Sequence, residues 1–369
     1  VSNLFSLTPA RYGITLLALF LLFATQPHPL ATAFMLHLLL AVGVLPLLFA
    51  AMIYFTPVLT RSASPAPWLH TLPLLALVAA LLAVAALWQW PWLLALAIPL
   101  ALLSTALLFY WMWQQARRAL GGPHPGLRWY QAALLLFMAA LLLIALIAVW
   151  PEQWLLWRSL HRHLNLFGFV GLSAIGTLQV LLPTVGAYPD PKAGQRLHQD
   201  LPYALLATLL LVLGGAWGIP LSAAGVAIWF WLLVRMLLPL QGHWRPLVSG
   251  NSSPLLLLGA VGGFAVTLAS TLWQEGQVAL PLFFALFLLP LLSGALAHLL
   301  PLWWWPGLPT PRRALAQQRL GEGAAWRLAL CWLSALAITF VSDWGIGLLV
   351  LPLLWPLAQI LVLALTKES

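Results

Sequence analysis

The chain has 369 residues, of which 63% are hydrophobic and 6% charged. A soluble domain carries about 25% charged residues, so a water-soluble globule is excluded and an integral membrane protein is implied. Sixteen Lys and Arg against seven Asp and Glu leave a net charge of +9, but these cations are scattered through short connections, which excludes a nucleic-acid surface and makes them topology signals.

A helix crosses the bilayer core with about 20 apolar residues. Runs of that kind predict spans near 11–27, 31–57, 69–88, 91–115, 127–149 and 155–182 in the first half. The second half predicts 201–217, 219–240, 255–273, 277–303, 325–341 and 345–366. The breaks carry Pro, Gly and Trp, as in QPHP, WQWPW, GGPHPG, WGIP and GNSSP. The first run follows Arg11, and Ala31-Thr32-Ala33 resembles a signal-peptide cleavage site. The internal symmetry described below needs that run as a helix, so it is kept as the first span. The longest polar connection, 306–325 with PGLPTPRRALAQQRLGEG, reads as a cytoplasmic loop or partner-docking surface.

Positive charge sorts by loop parity. Arg61, Arg117, Arg118, Arg128, Lys192, Arg196, Arg245, Arg312, Arg313 and Arg319 all follow even-numbered spans, so both termini are expected in the cytoplasm. Arg158 and Arg162 are the exception and fall on the outer side. An internal repeat supports the count. VLPLLFAAMIYFTPVL, ending at Leu59, aligns without gaps on LLPLLSGALAHLLPLW, ending at Trp303. His37 precedes Pro57 by the same twenty residues that separate His163 from Pro183, and Pro281 holds that position before Pro301. The expected architecture is therefore all-α: a single membrane domain over 1–369, with about twelve transmembrane helices in three pseudo-symmetric four-helix units, approximately 1–120, 121–247 and 248–369.

The one cysteine, Cys331, sits in an apolar run, so neither a disulfide framework nor a thiolate metal site is available. Metal chemistry must rest on histidine. His161 and His163 lie two residues apart at the head of the sixth span, and successive helical residues turn by about 100°. The two rings therefore project to nearly opposite faces and address different neighbours. As a bland reading, His37, His161 and His163 are interfacial residues among headgroups and a belt of Trp150, Trp154 and Trp157. Their shared membrane level, repeat position and cationic neighbours favour a ligand role, because an unpartnered ring in a bilayer is costly. Small residues Gly168, Gly171, Ala174 and Gly176 admit either a flat cofactor or ordinary close helix packing. Tyr54 and His298 occupy equivalent repeat positions near the inner face and admit a quinone or second metal pocket or plain solvation at helix ends; with His70, His124, His198 and His243, which map to inner ends or loops, His298 admits an inner metal site or solvation, and nothing in the spacing demands the metal.

The string H-x-H-x-x-x-x-G-F-V-G-L-x-x-x-G-x-L-x-x-L-x-P, from His161 to Pro183, resembles the double-histidine helix of heme-copper oxidase subunit I, especially the C-family oxidases and nitric oxide reductases. His37 twenty residues before Pro57 is similar to NnrS-like heme membrane proteins. The resemblance implies one or two b-type hemes, with His37 and His163 as axial ligands of a low-spin heme and His161 facing a high-spin one. It also implies Arg158 and Arg162 on the heme propionates. The family's copper centre needs three further histidines. Only His28 remains on the outer side as a further candidate, so copper is not expected. The double-histidine helix is the tenth in that family and the sixth here, and buried carboxylates for proton channels are missing.

The function implied is electron transfer, or handling of oxygen or nitric oxide, within a respiratory complex of a bacterial-type inner membrane, without proton pumping. Its heme site would face the periplasm, and its partners would be the lipid bilayer, other respiratory subunits, a c-type cytochrome or quinol. A structural or transporter-like subunit is the alternative. The near absence of polar groups in the interior counts against an ion or sugar pathway.

Overall fold

The computed structural model describes residues 2–25, 33–188, 190–248, 252–274 and 278–365. Among the described residues there are twelve long helices and no strand: α1 (Ser2–Ala24), α2 (Ala33–Thr60), α3 (Pro67–Trp88), α4 (Pro91–Arg118), α5 (Gly126–Ala148), α6 (Pro151–Val185), α7 (Ala193–Trp217), α8 (Ile219–His243), α9 (Ser253–Trp273), α10 (Leu280–Trp304), α11 (Pro311–Phe340) and α12 (Trp344–Leu365). The last eleven are long and apolar enough to cross a membrane, and α1 contributes the shorter apolar run Thr8–Ala24. Helices are the form such a sequence must take, because lipid offers no partner for backbone N–H and C=O groups. Proline marks the first turn of α3, α4, α6, α8, α9, α10 and α11, where its missing N–H is an orphan in any case. Between α7 and α8 the chain reverses at Gly218, whose φ of 116° only glycine adopts without strain.

Two helices form the centre. In α6 and α10 the most apolar stretch is 89% and 78% buried, against 28–56% in the other spanning helices. Aromatic rings lock them together. Phe264 of α9 lies 6.2 Å from Phe167 of α6, 4.8 Å from Phe287 of α10 and 5.4 Å from Trp229 of α8. Gly263 lets α9 approach α10 until its Cα faces the Leu286 carbonyl, where a Cβ would stand 1.9 Å from that oxygen.

The helices α2, α6 and α10 share a further feature. Each contains one π-helical segment, Leu38–Val44, Leu164–Gly171 and Phe283–Leu288. Each segment begins within two residues of the position that precedes the terminal proline by twenty, namely His37, His163 and Pro281. π-bulges are rare and concentrate at functional sites.

Two expectations need adjustment. The polar stretch 306–325 is not an open loop, because Pro311–Gly321 is helical, capped by the Thr310 hydroxyl on the Arg313 N–H at 3.2 Å. A turn at Gly323, with φ of 70°, then leads into Ala324–Phe340. Helix α7 also begins at Ala193 rather than near 201. Its first turns carry Arg196 and Asp200, which hydropathy alone places outside the membrane. They are neutralised in place, Arg196 by Asp190 at 2.6 Å and Asp200 by Arg235 of α8 at 3.0 Å.

Candidate functional site

The α-helical head of α6, Trp154–His163, enters from a short turn started by Pro151. At 100° per residue, Trp157, Arg158, His161, Arg162 and Asn165 spread over an arc of about 140°, while His163 falls on the far side. The structure follows this division. His161 is half-buried and its Nδ1–H donates to the Ala140 carbonyl of α5 at 2.9 Å. His163 is fully buried. Its Nδ1–H donates to Ser159 one turn back, at 2.8 Å, and its ring lies against Gly215 of α7. A Cβ on Gly215 would stand 2.5 Å from His163 Cε1, so the α7 backbone closes that face.

His37 ends the first α-helical turns of α2, immediately before its π segment. Its Nδ1–H donates to the Ala33 carbonyl at 2.7 Å. The ring lies parallel to that of His161, with an interplanar angle of 10° and centres 6.2 Å apart. In both residues the Nδ1 proton is committed to a backbone carbonyl. This fixes the tautomer, with the proton on Nδ1 and the lone pair on Nε2, the tautomer that a metal-bound histidine also adopts.

The structure therefore brings together His37 and His161, not His37 and His163. Equal spacing to the terminal prolines puts His37 and His163 at one height, but the side of the helix decides which ring meets which. His163 turns toward α7, where Ser159 and Gly215 enclose it; Ser159 Oγ also donates to the Gly215 carbonyl at 3.0 Å.

The two arginines separate as well. Arg158 is exposed and its guanidinium carbon lies 5.5 Å from the Trp154 ring centre. Arg162 keeps its Nε buried with no hydrogen-bond partner, and so does Trp157 with its indole N–H. Both unfilled donors lie on the arc that carries His161. Asn165 completes that arc by donating to the His161 carbonyl at 2.7 Å. His28 lies outside the described residues. Ser159, Gly215, Ala140 and Trp157 escaped sequence reasoning. Three act through backbone atoms or the lack of a side chain, and Trp157 reads as one more belt tryptophan.

Two imidazoles on opposite sides of one metal, with bonds of about 2.0–2.1 Å and ring nitrogens about 1.1 Å from the ring centres, place those centres about 6.3 Å apart. The His37–His161 separation of 6.2 Å matches that distance. Among the described residues no group of three or more His, Cys, Asp or Glu converges as a metal site. No protein-family model, curated protein or solved structure matches this chain.

Proposed function

We propose that the protein is a heme-binding electron carrier of the membrane, with His37 and His161 as the two axial ligands of one b-type heme. The observation that carries this reading is the parallel imidazole pair at 6.2 Å with both Nδ1 protons held by backbone carbonyls. A porphyrin would supply the remaining ligands to the iron. A heme held by His37 and His161 would supply one-electron chemistry between its ferric and ferrous states. The unfilled donors of Arg162 and Trp157 are suited to its carboxylates. The chain's own part is orientation: Ala33 and Ala140 hold the rings, and the π segments adjoining His37 and His163 set the helix faces at that level.

In this reading the repeat reflects three four-helix units. The positive-inside rule places the ends rich in arginine, and both termini, in the cytoplasm. The heme then lies toward the outer face of a bacterial-type inner membrane, where quinol, a c-type cytochrome or a respiratory subunit exchanges its electrons. Purified protein is expected to show a Soret band, and its pyridine hemochrome to report one heme per chain. A preparation folded and monodisperse but colourless, even after hemin is supplied, would contradict the proposal.

A further inference from the structure

Arg327 lies in the first turns of Ala324–Phe340, the long apolar part of α11, and takes no part in the histidine site. It is 1% exposed. Helical side chains lean toward the N-terminus, and this one runs back under the preceding turn. Its Nη1 donates to the Leu320 carbonyl at 3.0 Å and to the Glu322 carbonyl at 3.5 Å. These carbonyls close the helix Pro311–Gly321, the end at which a cation is favoured. One nitrogen is thereby anchored, and the plane of the guanidinium with it.

The other edge of the guanidinium is unused. Nε and Nη2 are buried with no hydrogen-bond partner among the described residues, and no carboxylate there forms an ion pair with Arg327. Glu322 offers it a carbonyl and not its carboxylate. The Nε–H and the adjacent Nη2–H point the same way, a fork that fits two oxygens of one anion. A guanidinium keeps its proton, so a buried one calls for an anionic partner. Helix α9 adds positive potential beside it. A Cβ on Gly321 would stand 3.1 Å from the Ser253 backbone nitrogen, so the N-terminus of a 21-residue helix abuts this turn.

We infer that Arg327 is the receptor for a phosphate group, held side-on by Nε and Nη2. Two positive sources on one spot, the guanidinium and the α9 terminus, favour phosphate over a carboxylate, which carries less charge and fewer acceptor oxygens. Free phosphate and a phospholipid headgroup share this chemistry. The donors are closed off from solvent, so the turn 321–323, which carries an anchoring carbonyl, lifts to admit the ligand.

The test is thermal unfolding of the delipidated full chain in detergent, with inorganic phosphate against chloride at matched ionic strength, beside native mass spectrometry of the protein before delipidation. If the source is free phosphate, it should raise the wild-type midpoint saturably. If the source is a lipid, a phospholipid adduct should survive purification. R327K keeps the charge but loses the fork, and should weaken either form of binding roughly ten-fold or more, the worth of one hydrogen bond to a charged group. R327Q should abolish it, whereas R117Q/R118Q, at another helix end, should bind as wild type does. A wild type with neither a phosphate-specific shift nor a phospholipid adduct would overturn the inference. So would binding that R327K leaves intact.

Discussion

His37 and His161 come from helices more than a hundred residues apart in sequence, yet their imidazoles stand parallel within 10°, centres 6.2 Å apart, each with its Nδ1–H fixed on a backbone carbonyl. Tyr188 and His243, for comparison, stack at 3.6 Å, which leaves no room for an atom between them.

The opposite face of α6 gives a prediction about packing. Gly215→Ala places a Cβ 2.5 Å from Cε1 of a fully buried His163 ring. The ring cannot retreat without losing its Ser159 bond, so the substitution should cost roughly 1–3 kcal/mol, read as a lower thermal midpoint in detergent. Because His163 is not one of the paired rings, the heme spectrum of the surviving folded fraction should be unchanged.

Two adjacent glycines of α9 should behave in opposite ways. A Cβ at Gly263 meets the Leu286 carbonyl at 1.9 Å, whereas one at Gly262 meets nothing within 4 Å. Gly263→Ala should therefore destabilise by about 3 kcal/mol or more. Gly262→Ala should be neutral or gain up to about 1 kcal/mol from helix propensity. Equal effects on thermal unfolding would count against the close α9–α10 contact.

Asp200 is buried and its ion-pair partner Arg235 is partly open, with side-chain exposures of 1% and 31%. Arg235→Gln leaves a carboxylate stranded between α7 and α8. The expected cost is roughly 2–3 kcal/mol, below the range for a fully buried pair because water reaches Arg235. Adding Asp200→Asn should restore most of it, a coupling that a double-mutant cycle reads directly. Strict additivity would show that the two groups do not interact.

His124 lies in the connection between α4 and α5, where burial pushes its pKa below the ordinary value. Its Nδ1 accepts the Gly126 N–H at 3.1 Å, which requires that nitrogen to be unprotonated. As pH falls through about 6.5 the unfolded chain takes up the proton before the folded one does. The His124 contribution is thus complete above that pH and declines below it. His124→Gln should flatten the loss of thermal stability between about pH 7.5 and 5; an unchanged slope would assign the loss to other groups.

Much of this architecture was legible in composition and punctuation. Proline and tryptophan bracket the spans, and the eleven long apolar helices fall close to the runs read from hydropathy. Two things were hidden for physical reasons. Polar helices at the rim, such as Pro311–Gly321 and the first turns of α7, pass for loops because hydropathy does not register ion pairs and caps made in three dimensions. The ring pairing was hidden because a repeat fixes height along a helix, whereas the facing direction depends on packing at Gly215 and Ala140 and on π segments that no residue pattern announces.

The most direct measurement compares the low-spin heme spectrum, by visible absorption and electron paramagnetic resonance, in wild type, His37→Ala, His161→Ala and His163→Gln. A bis-imidazole signal lost in the first two variants and retained in His163→Gln is the predicted result. Loss in His163→Gln with retention in His161→Ala would contradict the pairing of His37 with His161 and restore His163 as the second ligand.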